Sequence, residues 1–438
     1  MPTQQSDERG AAERLYQFIA SEEDARACKD ISDDACREVP KNFVLILSSL
    51  VLTKLGDLLI SPKTVLAWLL GAIGAPALVA WLVPIRESGS LIPQMIIGAW
   101  VRRRPVRKGF WVLGSVGQAL SVMIMAASVW FLDGYAAGSG VVLGLVAFSL
   151  ARGFCSVAMK DVQGKCVPKT RRGRLSGLAT TIGGSATVAL TLLLFWDRGE
   201  PSTGFYVTLM LLASMLWLVA ASLFSNVDEQ PGATGGGADA LRQALSNLTL
   251  LRDDRPFRHF VITRALLLCS ALASPYFVLL AQQQGNSSWL LGAFLLASSL
   301  ASSVSASVWG WMADRSSRQV MILGAMIASS VCLLVGGFNL MLPDTHVSAW
   351  FYPIAFFALS IAHAGVRLGR KTYLVDMASG NKRTDYTAVS NTVIGVLLLV
   401  TGGLSALASL ISAEAVIVML GLMGAAGGIS ALRLKEVE

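Results

Sequence analysis

A chain of 438 residues that is 54% hydrophobic and only 15% charged, with a mean hydropathy of +0.59, is too apolar for a soluble domain and reads as a polytopic membrane protein. Its net charge of +8 sits in short basic clusters between apolar runs, where it sets orientation instead of marking a nucleic-acid surface. Six cysteines without metal-ligand spacing, three histidines and the lack of any HExxH or GxxxxGK[ST] pattern exclude a recognisable metal centre and a nucleotide-driven pump; the cysteines read as reduced packing residues and no cofactor is expected.

Residues 1–41 form an acid-rich tail without the pattern of a cleavable signal peptide. A short surface helix with Leu15, Phe18 and Ile19 on one side competes there with a solvated tail. From Asn42 onward about twelve apolar runs are long enough to span a bilayer. Those of a first bundle, 42–225, cover 42–66, 76–101, 110–132, 141–160, 175–196 and 203–224. A polar linker, 226–258, follows, with a GATGGG tract and then an amphipathic helix. A second bundle, 259–432, holds runs at 260–281, 289–312, 320–342, 349–368, 387–411 and 413–432, leaving 433–438 as the C-terminus. The expected fold is therefore all-α and polytopic, with two pseudo-symmetric six-helix bundles. Basic residues gather in alternate connections, among them Arg102 to Arg104, Arg107 and Lys108, then Lys165 to Arg174, then Arg370, Lys371, Lys382 and Arg383. By the positive-inside rule this places both termini and the linker in the cytoplasm, the cell (inner) membrane being the expected location.

Several runs carry charges that they cannot hide by themselves. Lys54 and Asp57 fall inside the first run, Arg86 and Glu87 inside the second. Each costs about 2.5–3.5 kcal/mol at the bilayer centre, roughly ten for the four, so they need partners or a wet cavity. Lys54 and Asp57, at i and i+3, share a helix face and can pair with each other or with a facing helix. Arg86 and Glu87 point about 100° apart, so one is expected to meet a cavity and the other a neighbouring helix. Reading them as a loop would leave 89–100 too short to span, which keeps them in the membrane. Buried ion pairs that only fix packing are the competing reading. Further candidates are Arg152 as counter-charge, and Arg264, His363 and Arg367 in the second bundle; His363 and Arg367 lie one turn apart on one face. For Arg264 and Arg367, snorkelling to the interface is the alternative.

The two bundles look like a repeat. Ser61-Pro62 precedes Arg102 by almost the interval at which Ser274-Pro275 precedes Asp314, and Arg152 precedes Asp161 by the same nine positions as Arg367 precedes Asp376. Two groups of six helices joined by a cytoplasmic linker, with a basic loop after the second helix of each, resemble the major facilitator superfamily. Residues 310–319, GWMADRSSRQ, carry the most specific match: Gly310, Asp314, Arg315 and Arg318 fit the family's loop motif, whereas Ser317 and Gln319 do not. The corresponding first-half loop, GAWVRRRPVRK, keeps Gly98 and Arg103 but has Arg102 in place of the acid and Pro105 in place of the second glycine. Arg152 in SLARGFCSVA looks like the arginine of the fourth-helix motif without the Gln-Gly that usually follows, and the fifth-helix Gly-Pro signature of drug antiporters is not present.

The resemblance implies a secondary active transporter that moves a small solute by alternating access, coupled to protons, with Asp57 and Glu87 as candidate proton carriers and the two loops as gates. It also implies that Asp314 faces the start of the fifth helix, residues 174–177, when the cytoplasmic side is shut. A membrane sensor that keeps the fold without transporting is a second reading. Nothing stands at the spacing of an enzyme's nucleophile, base and orienting group. Expected partners are the solute, protons and lipid, not nucleic acid.

Overall fold

In hydrocarbon every backbone N–H and C=O must be paired within the segment, so each apolar run becomes a helix and is interrupted only where neighbours or a cavity can satisfy the freed groups. In the computed structural model, which describes residues 36–195, 199–232, 234, 247–285, 287–342, 348, 350–378 and 382–437, the first run is two helices, α1 (Val39–Leu59) and α2 (Val65–Ala72). The second is α3 (Val79–Leu91) and α4 (Gln94–Val101), followed by α5 (Lys108–Phe131), α6 (Gly134–Cys166), α7 (Lys169–Phe195) and α8 (Thr203–Ser225). The second half starts with a broken run, α9 (Arg255–Leu266), α10 (Cys269–Leu272) and α11 (Ser274–Gln284). It continues through α12 (Ser288–Ala313), α13 (Ser317–Met341), α14 (Phe351–Met377), α15 (Lys382–Ser409) and α16 (Ala413–Leu432). Among the described residues eleven stretches are long and apolar enough to cross a membrane; α3 and α4, interrupted at Ile92 and Pro93, occupy the place of the second expected run. The protein is all-α and polytopic.

The breaks follow from the prolines. Ser61 before Pro62 is disfavoured in helical conformation, so α1 stops at Leu59 and Lys63 projects from the gap before α2. Pro275 lies in the first turn of α11, where its missing N–H costs nothing. The repeated Ser-Pro therefore interrupts the first span of both halves. Within each half the helices approach closely at glycines: a Cβ on Gly114 of α5 would stand 2.7 Å from the Ala151 carbonyl of α6, and one on Gly324 of α13 would stand 3.0 Å from the Ala362 carbonyl of α14.

Three expectations need correction. α14 runs to Met377 instead of ending near Leu368, so Arg370 and Lys371 belong to the helix and not to a connecting loop; the hydropathic run ends there but the backbone ladder does not. The start of the linker is not free chain. Asp228 exchanges hydrogen bonds with Asn42 at 2.8 and 3.0 Å and pairs with Lys41 at 2.5 Å. Glu229, fully buried, accepts from the backbone N–H groups of Arg107 and Lys108 at 2.8 and 2.5 Å and from Lys165 Nζ at 2.8 Å, while Arg107 also pairs with Asp161. Finally, Cys155, Cys166, Cys269 and Cys332 are buried free thiols as expected, but Cys36 is disulfide-bonded. The GATGGG tract and the amphipathic helix expected after it lie largely outside the described residues.

The C-terminus mirrors the linker. Glu436 pairs with Arg318 at 2.7 Å and accepts from the Ser316 hydroxyl, while Tyr373 donates to the Lys435 carbonyl at 2.8 Å. Glu229 and Glu436 each lie four residues beyond the last helix of their half, so the same device ties down the loop after the second span in both halves. That part of the repeat is not apparent from hydropathy.

The halves meet through α3 with α15, α2 with α11, and α7 with α12. Ser88 donates to the Gly395 carbonyl at 2.8 Å, Gln282 Nε2 donates to the Trp68 carbonyl at 3.1 Å, and a Cβ on Gly292 would stand 2.7 Å from Phe195. The Gln282–Trp68 and Gly292–Phe195 contacts lie toward the end of the bundle away from the chain termini, and Ser88–Gly395 lies midway along the two spans it joins. At the terminus end Asp314 and Arg315 are exposed, and Gly173, Gly177 and Gly310 have no atom within 4 Å of an added Cβ. The cleft between the halves is closed at one end and open at the other.

Candidate functional site

Asp57, on the last full turn of α1, sits between two guanidinium groups. Arg152 Nη1 on α6 donates to both carboxylate oxygens, at 2.7 and 2.8 Å, and Arg86 Nη2 on α3 donates to Oδ1 at 2.7 Å. Arg86 also lies 4.7 Å over the Phe148 ring, whose π face attracts the cation. Side-chain exposures of 11% for Arg86, 25% for Asp57 and 34% for Arg152 place the triad at the wall of the cleft, beside a cavity of about 220 Å³ lined by Thr53, Gln118, Ser156 and Trp217. Of the two pairings open to Lys54 and Asp57, the facing helix wins for both: Lys54 Nζ donates to Thr180 Oγ1 of α7 at 2.7 Å. Two guanidinium groups on facing helices together give the carboxylate three charge-assisted bonds, more than one lysine on its own helix could supply.

Arg86 and Glu87 diverge as their 100° separation requires. Glu87 is exposed to the cleft without a hydrogen bond to its carboxylate among the described residues, and the charges acting on it most are those of Lys63, Arg86, Arg370 and Arg152. The next residue, Ser88, turns back to α15.

One polar contact crosses the cleft deep inside the bundle. Lys63, projecting from the gap between α1 and α2, meets His363 Nε2 of α14 at 3.0 Å, and His363 Nδ1 meets Ser270 Oγ at 3.1 Å. An ammonium has donors only, so Nε2 accepts, Nδ1 carries the proton, and the imidazole is neutral in this arrangement. Lys63 was not singled out in the sequence, although a lysine directly after Ser-Pro inside an apolar run was a usable signal. Arg264 is buried, its Nη1 and Nη2 donating to Ser390 Oγ at 2.6 Å and to Asn391 Oδ1 at 2.9 Å; it stays inside the second half and does not snorkel. Arg367 is exposed to the cleft and acts on Lys54, Lys63 and His363. Arg370, one turn on, acts on Lys63, Glu87, His363 and Arg264. Reading α14 as ending near Leu368 had hidden it among orientation charges.

The loop residues are placed apart from this cluster. Gly98 is buried near the end of α4 and Arg103 is exposed. Arg315 lies 3.8 Å over the Trp311 ring and Arg318 is held by Glu436 and the Leu434 carbonyl of its own half. Asp314 makes no hydrogen bond or ion pair with residues 174–177, and a Cβ on Gly177 would have no atom within 4 Å; α7 and α12 approach further from the termini, where a Cβ on Gly184 would stand 3.7 Å from Ser303 Oγ.

No family model matches the sequence, and no curated protein matches it. Solved structures match its fold closely. A D-xylose–proton symporter aligns with a TM-score of 0.69 over 90% of this chain and 97% of its own, at 13% identity. A POT family transporter in complex with 5-aminolevulinic acid gives 0.66 over 89% and 95%, at 11% identity, and the inward open xylose transporter XylE from E. coli gives 0.62 over 90% and 96%, at 12% identity.

Proposed function

We propose, from the premise that the chain has the major facilitator fold, that it is a secondary active transporter which carries a small solute through the cleft by alternating access. The observation that carries this reading is the charged cleft itself: ionisable side chains from both halves, at membrane depth, surround a space closed at one end and open at the other. Charges there are expensive and mark solute or proton paths. With the termini and the linker cytoplasmic, as the basic loops indicate, the open end is the cytoplasmic one and this arrangement is inward-facing. Glu87 is the better proton carrier of the two carboxylates, since it faces the cleft unbonded while Asp57 is held by two arginines. Gly98, Arg103, Gly310, Asp314, Arg315 and Arg318 belong to loops that meet when that end closes.

Reconstituted vesicles, loaded with a solute panel and assayed with and without a pH gradient, test the proposal. Uptake or efflux of at least one solute, accelerated by the gradient, is expected. Saturable binding without flux would refute transport and favour a sensor; flux indifferent to the gradient would refute the coupling.

A further inference from the structure

We infer that the solute carried through this cleft is a small organic anion whose carboxylate or phosphate oxygens are bound by Arg367, Arg370 and Lys54, an inference that rests on the transporter reading above. It follows from the balance of charge. Both oxygens of Asp57 are engaged by Arg86 and Arg152, so that triad carries a surplus positive charge. Glu87 is the other carboxylate of the cluster. Against it stand Lys54, held by a hydroxyl, and Lys63, facing a neutral imidazole. Arg264 rests on two uncharged oxygens. Arg367 and Arg370 have no hydrogen-bond or ion-pair partner among the described residues.

These cations converge. Lys63 of the first half stands 3.0 Å from His363 of α14, and Arg367 and Arg370 follow one and two turns further along that helix, with Arg367 exposed to the cleft, where it acts on Lys54 and Lys63 of the opposite half. Long basic side chains at membrane depth otherwise snorkel to the interface or pair with acids; here Glu87 attracts Arg370 and Lys63, but neither Arg367 nor Arg370 forms an ion pair among the described residues. The site offers donors from both halves, which a solute must bridge for binding to report on the gap between them. A guanidinium presents five donors in a fork that matches a carboxylate or phosphate bidentately, and an ammonium adds a point charge. A cationic solute would enter a field of its own sign, and a neutral one would leave that field uncompensated.

The full-length protein, in detergent and in vesicles, is given four probes: succinate, glycerol 3-phosphate, xylose and tetraphenylphosphonium. Either anion should stabilise it against heat at a concentration about tenfold or more below the neutral and cationic probes, and which of the two does so separates a carboxylate from a phosphate ligand. Arg367→Gln should weaken that binding about ten- to a hundredfold, the cost of one charged hydrogen-bond donor, with partial recovery in Arg367→Lys. Arg367 supports no other side chain, so both variants should fold. Should neither anion bind, the rate of thiol labelling in a Ser156→Cys variant decides. A sulfonate-bearing methanethiosulfonate should then outpace its trimethylammonium counterpart about tenfold or more, a preference lowered by about 1 M salt and by Arg367→Gln. Preferred binding of xylose or the cation, unchanged anion binding in Arg367→Gln, or labelling that favours the trimethylammonium reagent would overturn the inference. Flux without preference for anions would leave the transporter reading standing and remove the anion; anion binding without flux would do the reverse.

Discussion

Replacing Asp57 by Asn removes the one negative charge that two arginines share. Three charge-assisted hydrogen bonds, at 2.7, 2.7 and 2.8 Å, are each worth about 1.5–3 kcal/mol, but they share a single carboxylate and do not add. Removing one partner of a buried ion pair costs about 3–5 kcal/mol, because the charge left behind stays desolvated. Arg152 is 34% exposed and can recover some hydration from the cleft, and the Asn oxygen still accepts one bond, so the expected loss is about 2–3 kcal/mol. Arg86 is the partner that suffers, being 11% exposed and packed over Phe148. Denaturation of the Asp57→Asn, Arg152→Gln and double variants in mild detergent measures it. The double-mutant cycle should return a coupling of about 1–3 kcal/mol. Lys54→Ala should be nearly additive with Asp57→Asn, since Lys54 bonds Thr180 instead. A stability loss under about 0.5 kcal/mol, typical of surface substitutions, or a coupling near zero, would show that the triad does not hold α1, α3 and α6 together. A strong Lys54–Asp57 coupling would mean that the pairing seen here is not the one that matters.

Glu87→Gln should leave stability within about 0.5 kcal/mol of the parent, having no hydrogen bond to lose, while making vesicle uptake insensitive to a pH gradient; retained acceleration by the gradient would clear Glu87 of the coupling role. Glu229→Gln should cost about 3–5 kcal/mol and raise hydrogen exchange at Arg107 and Lys108, whose amides it accepts; unaltered exchange there would contradict the anchor. Asp314→Ala should spare the state described here, in which Asp314 is exposed, and weaken the state closed at the terminus end by about 1–2 kcal/mol, a five- to thirtyfold population shift. Spin-label distances between the terminus-side ends of α7 and α12 would refute this if the open and closed populations stayed the same.

Much of this molecule was legible in its sequence because insertion into hydrocarbon is decided locally. A run such as 110–132 becomes a helix whatever surrounds it, since its backbone has no other way to pair, and the charges at Lys54, Asp57, Arg86, Glu87 and Arg152 stood out because they are costly wherever their partners lie. Proline gives the breaks at Pro62 and Pro93 a local cause, but it does not choose them, since Pro84 stays inside α3. Partner choice is not local. Asp57 finds Arg86 and Arg152 at separations of 29 and 95 residues, and Lys63 finds His363 at 300, distances that no hydropathy window spans. Lys63 is not singled out within its apolar run and Arg370 reads as an orientation charge because their significance comes from facing the other half, and Glu229 and Glu436 read as linker and C-terminal residues because only the folded chain brings them under the loops they hold. Which end of the cleft is shut likewise depends on how the two halves lean against each other at Gln282–Trp68 and Gly292–Phe195. That balance is struck between surfaces that each half presents with the same sequence in every state, so it belongs to the tertiary structure alone.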